Sequence, residues 1–404
     1  ETVDTASTAP DSTAQLNSEA GGDSGFSAGN SPTEMPRAGE KSGTSSEAET
    51  AAAKWVNVVD PPQSESLLAG EAIFEITVPG LSARGSHGSR NGAEAIALAH
   101  EQALQAGITF PRTAGSVVRV GSNSATGKSS EVWNLATGKR VGTIRKLALE
   151  GSEVFAISGD GAYFAAQPAH EHLLGVYDVA ASKPLGGIKI EDWSGLKFVA
   201  FGVENRLVAF DDNRLKVYTM PDGNLVSTSE ELDTWSGFEH AAMSPGGKYV
   251  AVHGRDGLES KIRLFNILTG YCDAQLALTR EQDRCDGLAF TPNGEQLFLL
   301  TAGSRTQIHK FDMATGQQTG TMGLSADADQ FTRYSSKFYD GPRLAVFPDG
   351  ARVMLSGMYV FDAVSGDYLL QLPEDVKYWV GIVGDEQLAV LNGNKLVPWT
   401  LRAE

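Results

Sequence analysis

The sequence predicts an all-β chain in which one four-stranded antiparallel unit is repeated seven times and closed into a propeller. Three observations carry this reading. A phrase built on an aromatic residue recurs along the chain, a Pro/Gly turn phrase falls between its copies, and short aliphatic runs flank both. Repeats of forty-odd residues, each with four short strands, are the units that assemble into propellers.

The first phrase reads aliphatic, aromatic, then Asp, Asn or Thr, with Gly a few residues on. Its copies are Val132-Trp133-Asn134 with Thr137-Gly138, Val176-Tyr177-Asp178, and Val217-Tyr218-Thr219 with Asp222-Gly223. They continue as Leu264-Phe265-Asn266 with Thr269-Gly270, Phe311-Asp312 with Thr315-Gly316, and Val360-Phe361-Asp362 with Ser365-Gly366. Pro398-Trp399-Thr400 is a degenerate last copy. Successive aromatics stand between 38 and 50 residues apart.

The second phrase is a tight turn: Ser158-Gly159-Asp160-Gly161, Ser244-Pro245-Gly246-Gly247, Thr291-Pro292-Asn293-Gly294 and Phe347-Pro348-Asp349-Gly350. Proline sets φ early in such a turn and glycine supplies positive φ at its end. Aliphatic runs lie on either side, as in Leu288-Ala289-Phe290 and Leu297-Phe298-Leu299-Leu300. Each unit therefore reads strand, Pro/Gly turn, strand, loop, aromatic strand, Thr-Gly turn, strand.

On these two phrases the chain resembles the WD40-type β-propeller repeat family, in a degenerate, bacterial-looking form, over roughly residues 107–404. The family pattern also has a Gly-His before the first strand and an Asp in the turn between the second and third strands, which tie to a Trp. Here only Trp133 keeps a Trp in a full copy, and no regular Gly-His is present. The blades are therefore expected to be held mainly by aliphatic and aromatic packing between sheets.

Seven copies fill residues 107–404, and the last stops at its aromatic strand. A strand from further upstream must supply the outer edge. The alternating run at 72–79 is the favoured closing strand, pairing onto Lys395–Leu401; Trp55–Val59 is its rival. Between 81 and 106 lies an insertion, a Gly/Ser/Arg-rich loop and then an Ala-rich helix over 93–106 stopped by Gly107. The domain reading is thus a linker over 1–53 and a propeller over 54–404.

Composition bounds the function. The 404 residues carry 33 bases against 50 acids, a net charge of −17, which argues against nucleic acid, whose binding rests on basic residues at phosphates. No apolar run is long enough for a transmembrane helix. Residues 1–53 hold nine acids and two bases in a Ser/Thr/Gly/Ala-rich stretch that cannot bury enough surface to offset its ordering entropy. A disordered linker is expected there. The chain starts at Glu1 rather than Met, which fits a removed signal peptide or anchor, and hence an extracytoplasmic location, or simply an arbitrary boundary.

The chemical motifs are weak. Ser122 to Ser129 has the Gly-Lys-Ser ending of a phosphate loop but Ser at its first position and a strand after it, so it reads as a hairpin. Gly22-Asp23-Ser24-Gly25 has a serine-protease spelling but lies in the linker. His170, His172, His240 and His253 lack fixed ligand spacing and read, with His87, His100 and His309, as surface or turn residues. Asp327-Ala328-Asp329 lacks the glycine and distal glutamate of a calcium loop. Cys272 and Cys285, at opposite ends of a strand, are expected as separate thiols. No catalytic residue, metal or cofactor is expected.

The more informative pattern lies in the loops that lead from each outer strand to the next inner strand, all of which emerge on one face, here termed the top. They carry Glu150 and Glu153; Glu191, Asp192 and Trp193; Glu230, Glu231, Asp233, Trp235 and Glu239. They continue with Glu281, Asp283 and Asp286; Asp327 and Asp329; Glu374, Asp375, Tyr378 and Trp379. A second long insertion, near 325–341, adds Phe331, Tyr334, Phe338 and Tyr339. Acids interleaved with aromatic anchors would select a basic protein or peptide. The expected function is a non-catalytic, monomeric interaction scaffold. The alternatives are a structural module of a periplasmic or cell-surface assembly, and an enzyme or small-ligand sensor using the central channel.

Overall fold

The aromatic phrase occupies the third strand of the second to seventh sheets and the middle one of the three strands described in the first, and the turn that follows it explains its composition. The computed structural model describes residues 55–61, 76–77 and 117–401, the last span with gaps confined to connections between strands. After β1 (Ile76–Thr77), the first sheet is β2 (Val117–Ser124), β3 (Gly127–Asn134) and β4 (Lys139–Arg145). The second is β5 (Phe155–Ile157), β6 (Tyr163–Ala166), β7 (Leu173–Asp178) and β8 (Lys183–Lys189). The third is β9 (Phe198–Phe201), β10 (Leu207–Asp211), β11 (Arg214–Tyr218) and β12 (Leu225–Thr228). The fourth is β13 (His240–Met243), β14 (Tyr249–Asp256), β15 (Glu259–Asn266) and β16 (Cys272–Ala277). The fifth is β17 (Cys285–Phe290), β18 (Gln296–Ala302), β19 (Thr306–Asp312) and β20 (Gln318–Gly323). The sixth is β21 (Leu344–Val346), β22 (Arg352–Leu355), β23 (Tyr359–Asp362) and β24 (Tyr368–Gln371). The seventh is β25 (Trp379–Gly384), β26 (Gln387–Asn392) and β27 (Lys395–Thr400). Every sheet is an antiparallel meander, and the architecture is all-β and propeller-like. No helix among the described residues is long and apolar enough to cross a membrane.

The pairing of the aromatic strand with the outer strand after it shifts register beside the aromatic in the first six sheets, between Val132 and Trp133, Val176 and Tyr177, Val217 and Tyr218, Leu264 and Phe265, Lys310 and Phe311, and Val360 and Phe361. A bulge there lets a short turn close with one residue at positive φ. Gly223, Gly270, Gly316 and Gly366 take that place, at φ 65, 78, 72 and 80°. The Asp or Asn after the aromatic folds its side chain onto the turn. Asp312 Oδ1 accepts from Thr315 N at 2.8 Å, and Asp362 Oδ1 accepts from Val364 N at 2.8 Å and Ser365 N at 2.7 Å. The second sheet has no glycine here, and Ser182 carries the positive φ, 53°.

Both faces of a sheet are apolar because both are covered. In β9, Phe198 and Ala200 pack toward the fourth sheet, while Val199 and Phe201 pack toward the second. In β10, Val208 and Phe210 take the first side, Leu207 and Ala209 the other. This is the strand alternation of period two with neither face left to solvent. Six such clusters join the sheets in sequence order: first to second, second to third, third to fourth, fourth to fifth, fifth to sixth and sixth to seventh.

Of the run expected at 72–79, the described part is β1, where Ile76 lies opposite Leu396 and Thr77 opposite Lys395 of β27. Trp55–Val59 does not serve as a sheet strand. It crosses the turns of the fourth and fifth sheets, and Val58 is buried between them. The first sheet has three strands among the described residues rather than four. The linker at 1–53, the helix at 93–106 and the insertion at 325–341 lie outside the described residues.

Two consequences of the turn chemistry are open to measurement. Ser182→Gly relieves a left-handed conformation that costs a side-chain-bearing residue about 1 kcal/mol, so the unfolding free energy read from urea denaturation should rise by up to that amount. The carboxyl of Asp362 is held below its ordinary value of 3.8, chiefly by the N–H groups of Ser365 and Val364. A group depressed by folding stabilises above its ordinary pKa and stops doing so as pH falls through its folded value. Asp362→Ala should therefore cost stability near neutrality, and the gap between variant and parent unfolding curves should narrow as pH falls below 3.8.

Candidate functional site

The top of the third sheet is the part of the expected acidic surface that can be built residue by residue. Three segments meet there: Glu191 beyond β8, the hairpin Asp211–Arg214 between β10 and β11, and Ser229–Leu232 beyond β12. Asp212 and Asn213 have φ of 51 and 58°, which makes the hairpin a two-residue turn of the type that matches strand twist.

The carboxylate of Asp211 is buried, with its side chain 1% exposed. It accepts from the backbone N–H of Glu191 at 3.1 and 3.2 Å and from Lys216 Nζ at 2.8 Å. Lys216 Nζ also donates to Glu191 Oε2 at 2.8 Å. Burial alone would lower the Lys216 pKa, but the hydrogen bonds and charges of Asp211 and Glu191 outweigh it and hold it above 10.5. Burial, and then the same two carboxylates, push the Tyr218 phenol upward. Asp211 and Lys216 thus neutralise each other and pin the connection from the second sheet onto the third.

The segment beyond β12 is zipped along the hairpin. Ser229 N donates to Leu215 O at 2.8 Å, Leu215 N to Ser229 Oγ at 3.0 Å, and Leu232 N to Asn213 O at 2.9 Å. With Ser229 and Leu232 buried, Glu230 and Glu231 are turned to solvent. Arg214 Nη2 meets Glu231 Oε2 at 3.0 Å. Both ends of that pair are open to water, so it screens the charge more than it stabilises the fold. Five acids (Glu191, Asp211, Asp212, Glu230, Glu231) gather here against two bases, Arg214 and Lys216, and the patch stays net negative.

Among the expected surface residues, the structure brings Glu230 and Glu231 to this site. Trp193, Asp233, Trp235, Tyr334, Phe338, Tyr339 and Tyr378 lie outside the described residues, and Trp379 is placed by its backbone alone, opening β25 opposite Val390. Asp286 is not part of a rim: it is 3% exposed, inside β17. Sequence reasoning passed over Asp211, Asp212 and Lys216, although Asp-Asp-Asn-Arg between two aliphatic runs marks a charged hairpin.

Two histidines depart from the expected surface setting. His253 and His309 are buried because they sit inside β14 and β19, between packed sheets. His309 lies within 3.2 Å of Thr301 Oγ1 and 3.3 Å of Thr321 Oγ1, a polar contact set spanning three strands. His240 and His253 face each other across β13 and β14. The cysteines are free thiols; burial raises the pKa of Cys272 and makes it a poor nucleophile. Ser122 to Ser129 lies in the β2–β3 hairpin, with Ser124 opposite Gly127.

Lys216→Met removes the cation that neutralises a buried carboxylate, a change that costs about 3 kcal/mol in such settings. Chemical denaturation at neutral pH should show a loss of that order. Because folding raises the lysine pKa, its contribution is complete below 10.5 and is lost as pH climbs through the folded value. The deficit of the variant should therefore shrink only at strongly alkaline pH.

No family model and no curated protein matches the chain. Among solved structures, it is similar to a chain of Kuenenia stuttgartiensis hydrazine synthase, at 13% identity and a TM-score of 0.49, over 71% of this chain and 93% of that one. It is likewise similar to a chain of a mitotic checkpoint complex crystal structure, at 13% identity and a TM-score of 0.49, over 91% of this chain and 99% of that one.

Proposed function

We propose that this chain is a non-catalytic protein-interaction scaffold: a seven-bladed propeller, closed by β1 on β27, whose top face binds a basic protein or peptide. The observation that carries the reading is the acidic patch on the third sheet, where Glu230 and Glu231 are turned to solvent by a buried, hydrogen-bonded frame. A rigid backbone frame with solvent-facing charge suits recognition, because the segment that meets a partner is already ordered before binding.

The remaining acids and aromatics of the top-face connections, including Asp233, Trp193, Trp235, Tyr378 and Trp379, extend the same surface in this reading. Tyr334, Phe338 and Tyr339 of the long insertion add apolar area. The field of such a rim reaches about a Debye length, ~8 Å at physiological salt. Its main effect is on the association rate. The aromatics, when exposed, govern dissociation.

The test uses a ten-residue oligolysine peptide and the full chain in surface plasmon resonance. Glu230→Ser, Glu231→Ser and Asp233→Ser combined should slow association about tenfold at low salt and flatten its salt dependence. Dissociation should change little. Binding of equal strength and salt slope by parent and triple variant would overturn the reading.

A further inference from the structure

The segment Trp55–Pro61 fills a groove across the bottom of the fourth and fifth sheets and completes a turn that lacks one of its own groups. Three turns of related sequence show what is missing. In the second sheet, Asp160 Oδ1 accepts from Ser158 Oγ at 2.6 Å and from Ala162 N at 2.9 Å. In the fifth, Asn293 Oδ1 accepts from Thr291 Oγ1 at 2.8 Å and Glu295 N at 3.1 Å. In the sixth, Asp349 Oδ1 accepts from Ala351 N at 2.8 Å. The third turn residue thus takes up the N–H two residues on, as Asx turns do.

The fourth sheet has Gly246 at that position and so has no side-chain acceptor. Asp60, 184 residues before Ser244, takes its place. Asp60 Oδ2 accepts from Ser244 Oγ at 2.5 Å and from Lys248 N at 2.8 Å, the equivalents of the donors in the sibling turns. Asp60 O also accepts from Gly246 N at 3.1 Å.

Unlike Gly247, Gly246 has no positive φ that would call for glycine. What glycine provides is space, because a Cβ here would overlap the Asp60 carboxyl group. Gly294 and Gly316 have positive φ for their own turns and also leave room for the segment: a Cβ on the first would overlap the Asp60 backbone, and one on the second the Trp55 ring.

The rest of the segment reads like a bound peptide. Trp55 Nε1 and Val58 N both donate to Met313 O, at 3.3 and 3.0 Å, and no ladder is formed. Val58 is fully buried among residues of the fourth and fifth sheets, while Val56 is 50% exposed. Trp55, Val58 and Asp60 are the anchors; Val56 and Asn57 face out, and Val59 packs partly against the same cluster.

We propose that this groove is a peptide-binding site for segments of the form Trp-x-x-Val-x-Asp, with residues 55–61 as its resident and exchangeable ligand, replaceable by the same segment of a second copy. The aspartate supplies the turn acceptor that Gly246 withholds, so affinity depends on a carboxylate at that position. This site is on the face opposite the acidic patch and is independent of the scaffold reading.

The test uses the full chain and a fluorescein-labelled peptide of residues 54–62, followed by fluorescence polarisation. The double variant Trp55→Ala, Asp60→Ala should bind the labelled peptide at least tenfold more tightly than the parent, whose groove is filled. A peptide with Asp60→Ala should bind the double variant at least tenfold more weakly. Adding Gly246→Asp to the double variant should abolish binding, because the turn then carries its own acceptor and the space is gone. As a second readout, Gly246→Asp alone keeps the turn satisfied and should speed hydrogen exchange at Val58 about a hundredfold while leaving Ala241–Met243 unchanged. The proposal is overturned if the emptied chain does not bind the peptide, if Gly246→Asp leaves binding or Val58 protection intact, or if the double variant fails to fold, since a segment the fold requires is not exchangeable.

Discussion

The second to sixth sheets each bury both of their faces, and that constraint governs the rest. A sheet such as β9–β12, with Phe198 and Phe210 on one side and Phe201 and Leu207 on the other, is not stable against water on either. It needs a neighbour on each side, and the order of the chain provides one. Polar chemistry is thereby driven to the two ends of the sheets, where the connections emerge. Those ends are held by rigid strands and differ from one another in kind.

At the bottom, the turns between first and second strands are tied to each other and to the turns between third and fourth strands. Asn205 donates to Asp160 at 3.2 Å, Val203 N donates to Gly247 O at 2.8 Å, and Arg206 reaches Ile267 O and Leu268 O at 3.4 Å. Asp160 would be raised by burial, but its hydrogen bonds from Ser158, Ala162 and Asn205 hold it below the usual carboxylate value. Between the turns of the fourth and fifth sheets the direct link is replaced by the segment carrying Asp60. At the top, the charges point outward: Asp211 and Lys216 tie one connection down, and Glu230 and Glu231 meet water.

What was legible in the sequence was legible for local reasons. The aromatic phrase marked the strand that precedes each outer strand because a bulge and a turn closed at positive φ need that order of residues, as Phe311-Asp312 with Gly316 illustrates. The Pro/Gly phrases marked the turns between first and second strands. Acidic residues beyond the outer strands reached the top where they were exposed, as Glu230 and Glu231 are. Asp286 has the same charge in a similar place, yet lies inside β17. Its burial follows from strand position, which composition does not encode. His253 and His309 were misjudged for the same reason.

The sequence by itself determined the strand-and-turn grammar, because φ preferences and period-two burial act over a few residues. Tertiary structure alone decided which distant groups complete one another. Gly246 gives no hint that its missing side chain is replaced by Asp60, and Trp55–Val59 has the alternation of a strand without a ladder to join. A hydrogen bond across 184 residues depends on the packing of two sheets, and that packing exists only once both have formed.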